Sequence, residues 1–111
     1  MVTKQGWIGV DLDGTLAEYH GWDEGRIGKP IWPMIHRVRD WLDRGLEVRI
    51  VTSRVGNCFP DQIDYNIQQI DDFCLNFFGK KLPITNMKDQ FMIELWDDRA
   101  VRVEINTGRI L

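Results

Sequence analysis

The sequence predicts one α/β domain over residues 1–111, built on a mainly parallel sheet flanked by helices. Three observations lead there. Short apolar runs alternate with segments of helical period in the first half of the chain. The first of these runs is continuously apolar, as strands buried on both faces are. The order reads β-α-β-α-β-β-β, and right-handed crossovers turn such an order into a parallel sheet.

Trp7-Ile8-Gly9-Val10 is the first apolar run, and it stops abruptly at Asp11-Leu12-Asp13-Gly14-Thr15. Residues 17–33 carry Gly21, Gly25, Gly28, Pro30 and Pro33, which is loop chemistry. From Met34 the spacing turns helical. Ile35, Val38 and Leu42 form one stripe with Trp41 beside it, while Arg37, Arg39, Asp40 and Asp43 face away. Pro33 suits the first turn of this helix and Gly45 its C-terminal cap. Residues 46–51 read as a second strand, ending at Thr52-Ser53-Arg54. A second helix follows Pro60, with Ile63, Ile67, Ile70, Cys74 and Phe77 in steps of four and three and Gly79 closing it. Residues 82–85 form a short third strand that Pro83 keeps from a central position. Residues 92–96 form the fourth, ending at Asp97-Asp98. Residues 101–105 alternate with period two, which predicts a half-exposed edge strand before the Asn106-Thr107-Gly108 turn.

At 111 residues the chain has room for one core, and a domain of this size buries roughly two-thirds of its unfolded surface. A hydrophobic content of 43% and a charged content of 28% are those of an ordinary globular protein. The net charge of −3 argues against a general nucleic-acid binder, which needs a basic surface for phosphate contacts. Cys58 and Cys74 form no Cys-x-x-Cys pair and sit among no clustered histidines, which disfavours a zinc site and a disulfide framework. Reduced thiols and a cytoplasmic location are the expectation. No apolar run approaches the roughly 18 residues that a membrane span needs. The apolar run after Met1-Val2-Thr3-Lys4-Gln5 is too short for a signal peptide.

The strand ends carry the chemistry. In open α/β sheets, ligands bind beyond the carboxyl ends of the strands, where the strand order reverses. Three apolar strands end here in pointed residues: Asp11 and Asp13, then Thr52, then Asp97 and Asp98. Each is compatible by itself with a turn or a helix cap, since Asp, Gly and Thr favour both. Occurring in order, each straight after a strand, they point to one site. Four carboxylates meeting at one sheet edge repel, which forces protonation or recruits a hard divalent cation with oxygen ligands, such as Mg²⁺.

These residues resemble the signature of the haloacid dehalogenase (HAD) superfamily, and the likeness spans nearly the whole chain. Val10-Asp11-Leu12-Asp13-Gly14-Thr15-Leu16 is similar to its first motif, Ile50-Val51-Thr52-Ser53-Arg54 to its second, and Leu95-Trp96-Asp97-Asp98 to its fourth. The third motif is a lysine upstream of the acidic pair. Lys88 fills it best, with Lys80 and Lys81 as alternatives. The resemblance implies a Rossmann-like core with the first strand central, and hydrolysis of a phosphomonoester through an aspartyl-phosphate. Asp11 would be the nucleophile and Asp13 the acid/base, with Gly14 permitting the sharp backbone path beside them. Thr52 would bond a phosphoryl oxygen, with Ser53 and Arg54 as further substrate contacts, and Lys88 would neutralise charge. Mg²⁺ would rest on the Asp11 carboxylate, the Asp13 carbonyl and the Asp97 side chain, with Asp98 acting through a water or by orienting its neighbours.

Members of that family often carry an inserted cap. Residues 17–33 and 86–91 are too short to fold as one, so a capless enzyme is implied, with an open site for a large substrate or one covered by a second subunit. The substrate class stays open between a small phosphate ester, a nucleotide and a nucleic-acid end. The loop holds Tyr19, His20, Trp22, Arg26, Lys29 and Trp32; it reads either as a flap over substrate or as tryptophans packed on the sheet and first helix. His20 and His36 have no evident catalytic partner. Two non-enzymatic readings remain beside the phosphatase: a Mg²⁺- or phosphate-binding module without turnover, and a domain phosphorylated on aspartate by a partner.

Overall fold

The computed structural model describes residues 6–58 and 60–111, so the N-terminal segment weighed above as a signal peptide lies largely outside it. The elements run β1 (Trp7–Asp11), α1 (Trp32–Asp43), β2 (Glu47–Val51), α2 (Ile63–Phe78), β3 (Ile84–Thr85) and β4 (Met92–Trp96), with a 3-10 turn at Ser53–Val55 after β2. All strand pairings are parallel, in the order β3-β2-β1-β4. β1 is therefore interior, as predicted. Pro83 sits beside the edge strand β3, where its carbonyl accepts from the Ile50 amide at 2.8 Å and its missing N–H costs no ladder bond.

β1, β2 and β3 succeed one another in one direction, so two right-handed crossovers lay α1 and α2 on the same face of the sheet. Ile8 pairs with Val48 and Val10 with Ile50, and all four point towards Ile35, Val38, Ile70, Phe73 and Cys74 in one core. Each large apolar side chain taken fully from water contributes roughly 1.5–3 kcal/mol. The helices do not flank the sheet on both sides among the described residues. The opposite face carries Trp7, Gly9, Arg49 and Leu95; Arg49 lies over the Trp7 ring at 4.4 Å, and Ile93 and Leu95 stay exposed.

α1 begins two residues before Met34, with Pro33 in its first turn. It ends as foreseen at Gly45, whose φ is +79°; Leu46 N–H bonds Trp41 O and Gly45 N–H bonds Leu42 O, both at 3.0 Å, a Schellman closure. α2 ends at Gly79 in the left-handed region. Its buried stripe is Asn66, Ile70, Phe73 and Cys74, rotated from the predicted one, which placed Ile63, Ile67 and Phe77 inside. The predicted fifth strand does not join the sheet. Residues 101–111 fold back on themselves instead, with a bridge between Val103 and Ile110 and a Glu104–Arg109 ion pair at 3.0 Å. Among the described residues, no helix is long and apolar enough to cross a membrane.

Candidate active site

Asp11 is the last residue of β1, and β4 runs beside it with Val10 opposite Trp96. Asp97 and Asp98 therefore leave β4 at the level where Asp11 leaves β1. One carboxylate oxygen from each of Asp11, Asp97 and Asp98 lies within 4.8 Å of the others. An all-oxygen donor set of this kind suits a hard divalent cation. Thr15, four residues after Asp11, ties the cluster together: its hydroxyl lies 3.3 Å from Asp11 Oδ2 and 3.1 Å from Asp98 Oδ1, and it accepts from the Asp98 amide at 3.1 Å. Having one proton, the hydroxyl serves one carboxylate at a time. Gly14 makes the turn possible twice over: its φ is +91°, and a Cβ there would stand 2.6 Å from Asp98 Oδ2.

Burial raises the Asp11 pKa to about 7, helped by its hydrogen bond to Asp98 and by the charges of Asp97 and Asp98. The same bond to Asp11 holds Asp98 below the ordinary carboxylate range. Asp11 and Asp98 thus titrate as a pair sharing a proton. The expected crowding is real, but it involves three carboxylates, not four. Asp13 turns away to Arg54, which donates from Nε to Oδ2 at 2.8 Å and from Nη2 to Oδ1 at 2.9 Å.

The carboxyl edge of the sheet opens into a cavity of about 540 Å³, within the range of small-molecule sites. The predicted residues Asp11, Asp13, Thr52, Ser53, Arg54, Asp97 and Asp98 all line it. Thr52 is buried, and its oxygen accepts the Arg54 amide at 3.1 Å as the cap of the 3-10 turn; the hydroxyl proton is left for another acceptor. Lys88, Lys80 and Lys81 are not among the lining residues. Asn86 still faces the cavity, but by Asp89 the chain has reached Trp7 at the far end of β1, where Trp7 Nε1 donates to Asp89 at 2.9 Å. Lys88 lies on the way out. Lys81 sits 3.7 Å from Asp71.

Tyr19 and Trp22 reach the cavity from the loop, with Trp22 over the Arg54 guanidinium at 4.9 Å; Trp32 instead packs on α1 and α2 against His36 and Phe77. Trp32 therefore meets the packing reading, whereas Trp22 lies at the cavity over Arg54. His20 is exposed beside Glu18, and His36 is exposed on α1. Thr15 and Arg99 join the site without having stood out in the sequence. Thr15 stood inside the first motif, and its i+4 distance from Asp11 was the available signal. Arg99 lines the cavity because its amide bonds Asp97 Oδ1 at 2.7 Å and so turns the chain there.

Comparison of the chain with family models, with curated proteins and with solved structures finds no match. What stands is an α/β domain with a four-stranded parallel sheet and an aspartate triad at its carboxyl edge able to hold a metal ion.

Proposed function

We propose that this protein is a Mg²⁺-dependent phosphomonoester hydrolase of the HAD type, working through an aspartyl-phosphate on Asp11. The observation that carries the reading is the meeting of Asp11, Asp97 and Asp98 within 4.8 Å at the end of adjacent parallel strands, beside the buried hydroxyl of Thr52. The Asp11 and Asp97 carboxylates and the Asp13 carbonyl would hold Mg²⁺, which when bound would supply the positive charge that keeps Asp11 ionised and offsets the phosphoryl oxygens.

The residues then divide the reaction. An Asp11 oxygen attacks phosphorus, forming one P–O bond while the ester P–O bond breaks, and Asp13 gives its proton to the departing alkoxide. Water attacks the aspartyl-phosphate next, Asp13 takes the water proton, and the bond to Asp11 breaks to release inorganic phosphate. Thr52 donates to a phosphoryl oxygen, and Arg99 faces the same cavity as a cation. Such transfer is mostly positioning and charge stabilisation, so a small set of groups suffices.

A panel of phosphate monoesters assayed with Mg²⁺ tests this. Turnover is expected in the wild type and is lost in Asp11→Asn, in Asp13→Ala and in EDTA, with the fold retained by circular dichroism. Turnover surviving Asp11→Asn removes the nucleophile. One observation favours a second reading, a Mg²⁺- or phosphate-binding module without turnover: the lysine that the resemblance assigns to charge neutralisation does not line the cavity. Calorimetric binding of Mg²⁺ with no turnover on any ester would select that reading.

A further inference from the structure

We propose that Arg54 is a positioning residue that seats Asp13 and latches residues 22–26 of the loop over the site. Its guanidinium is buried, with the residue 2% exposed, yet each of its three nitrogens donates a hydrogen bond. Nε and Nη2 fork onto the two Asp13 oxygens, Nη1 donates to the Gly25 carbonyl at 2.6 Å, and Nη2 also reaches the Arg26 carbonyl at 3.4 Å. The Trp22 ring covers the guanidinium plane. The main chain of Arg54 is anchored as firmly. Its amide donates to Thr52 Oγ1, and its carbonyl accepts from Nδ2 of Asn66, a residue fully buried on α2. Arg54 therefore joins four parts of the molecule: the turn after β1, the loop, the turn after β2, and α2.

The geometry positions Asp13 without consuming it. Its side chain remains 21% exposed towards the cavity, and each carboxylate oxygen accepting one bond keeps a second lone pair. A lysine cannot do this work. A single ammonium can meet Asp13, but it has no planar fork to reach both oxygens, two loop carbonyls and an aromatic face together. The coupling also runs backwards. A buried guanidinium fork needs an acceptor at each prong, so Asp13→Asn, which replaces one acceptor oxygen by an NH₂ donor, drives the Arg54 head towards water and releases the loop it holds. The latch follows from this geometry alone, whereas the effect on catalysis rests on the phosphatase reading above. The two are tested by separate measurements.

Trypsin reads the latch. Arg26 is followed by Ile27 and is cleavable, whereas Lys29 is protected by Pro30; Arg44, at the end of α1, serves as the remote reference. In Arg54→Lys and in Asp13→Asn, cleavage after Arg26 is expected to accelerate by roughly fivefold or more, with cleavage after Arg44 unchanged, because only local opening is released. Unchanged cleavage after Arg26 overturns the latch. Equal acceleration at both sites also overturns it, since Arg54 would then merely stabilise the fold. Kinetics read the seating. Arg54→Lys is expected to lower kcat on alkyl phosphates by about tenfold more than on p-nitrophenyl phosphate, whose leaving group needs little protonation. An equal loss on both substrates rejects a role in seating the proton donor. If the wild type turns over neither substrate, the phosphatase reading fails while the trypsin result still decides the latch.

Discussion

The hydrogen bond between Asp11 and Asp98 makes a prediction about the metal-free protein. Asp11, raised to about 7, holds its proton in the folded chain across a range where the unfolded chain, near 3.8, releases it. The folded state then binds more protons, so this stabilising difference is complete below the unfolded value and is lost as pH rises through 7. Asp98 works oppositely, its contribution disappearing only as pH falls through its lowered value. Between about pH 4 and 7 the Asp11 effect governs. The melting temperature in EDTA should therefore fall from pH 5 to pH 8, and Asp11→Asn should flatten that fall. Mg²⁺ should restore more stability at pH 8 than at pH 5, because it binds the ionised triad of the folded state. A flat profile in the wild type, by thermal denaturation, would contradict the shared proton. At this scale the acidic residues were legible because each stands directly after an apolar run. Thr15 and the pairing of Arg54 with Asp13 were not, because hydroxyls and arginines occur on most surfaces and only three-dimensional neighbours distinguish these two.

Among the elements, α2 shows how tertiary contact changes a helical stripe. Spacing alone selects Ile63, Ile67, Ile70, Cys74 and Phe77, but the helix buries Asn66 and Phe73 beside Ile70 and Cys74. Asn66 lies inside because its amide meets the Arg54 carbonyl at 2.9 Å, while its own Oδ1 has no partner among the described residues. Hydropathy cannot foresee a buried asparagine whose task is set by a residue 12 positions away. Ile70→Ala is expected to cost roughly 2–5 kcal/mol, since a fully buried aliphatic side chain leaves a cavity between α2 and the sheet. Ile63→Ala, half-exposed at the first turn, should cost clearly less. Urea denaturation of the two variants checks the rotation, and equal losses would restore the predicted stripe. Helix ends were easier to read, because Gly45 and Gly79 answer to local backbone geometry.

For the molecule as a whole, the C-terminal hairpin is the clearest departure. Val101, Val103, Ile105, Ile110 and Leu111 are all exposed, and none belongs to the core around Ile8, Val10 and Ile70. Asn106 and Gly108 adopt positive φ, which reverses the chain before it can travel along the sheet. Removal of residues 102–111 is therefore expected to change unfolding free energy by less than about 1 kcal/mol, in keeping with the small effect of altering exposed positions. A larger loss in chemical denaturation would mean that the hairpin supports the sheet after all.

Local chemistry alone settled both helices and the first four strands, the alternation that makes the domain α/β, and the acidic residues at two strand ends with Thr52 at a third. Periodicity, turn residues and abrupt polarity changes act over a few positions, so they are written directly in the chain. Only the folded structure decided which side of the sheet the helices cover, that Asp13 faces Arg54 and not the other carboxylates, and that the last segment pairs with itself. The pairing of Asp13 with Arg54 joins residues 41 positions apart, and the site's tie between Thr15 and Asp98 spans 83. Long-range packing brings such groups together, and no pattern over a short window encodes it.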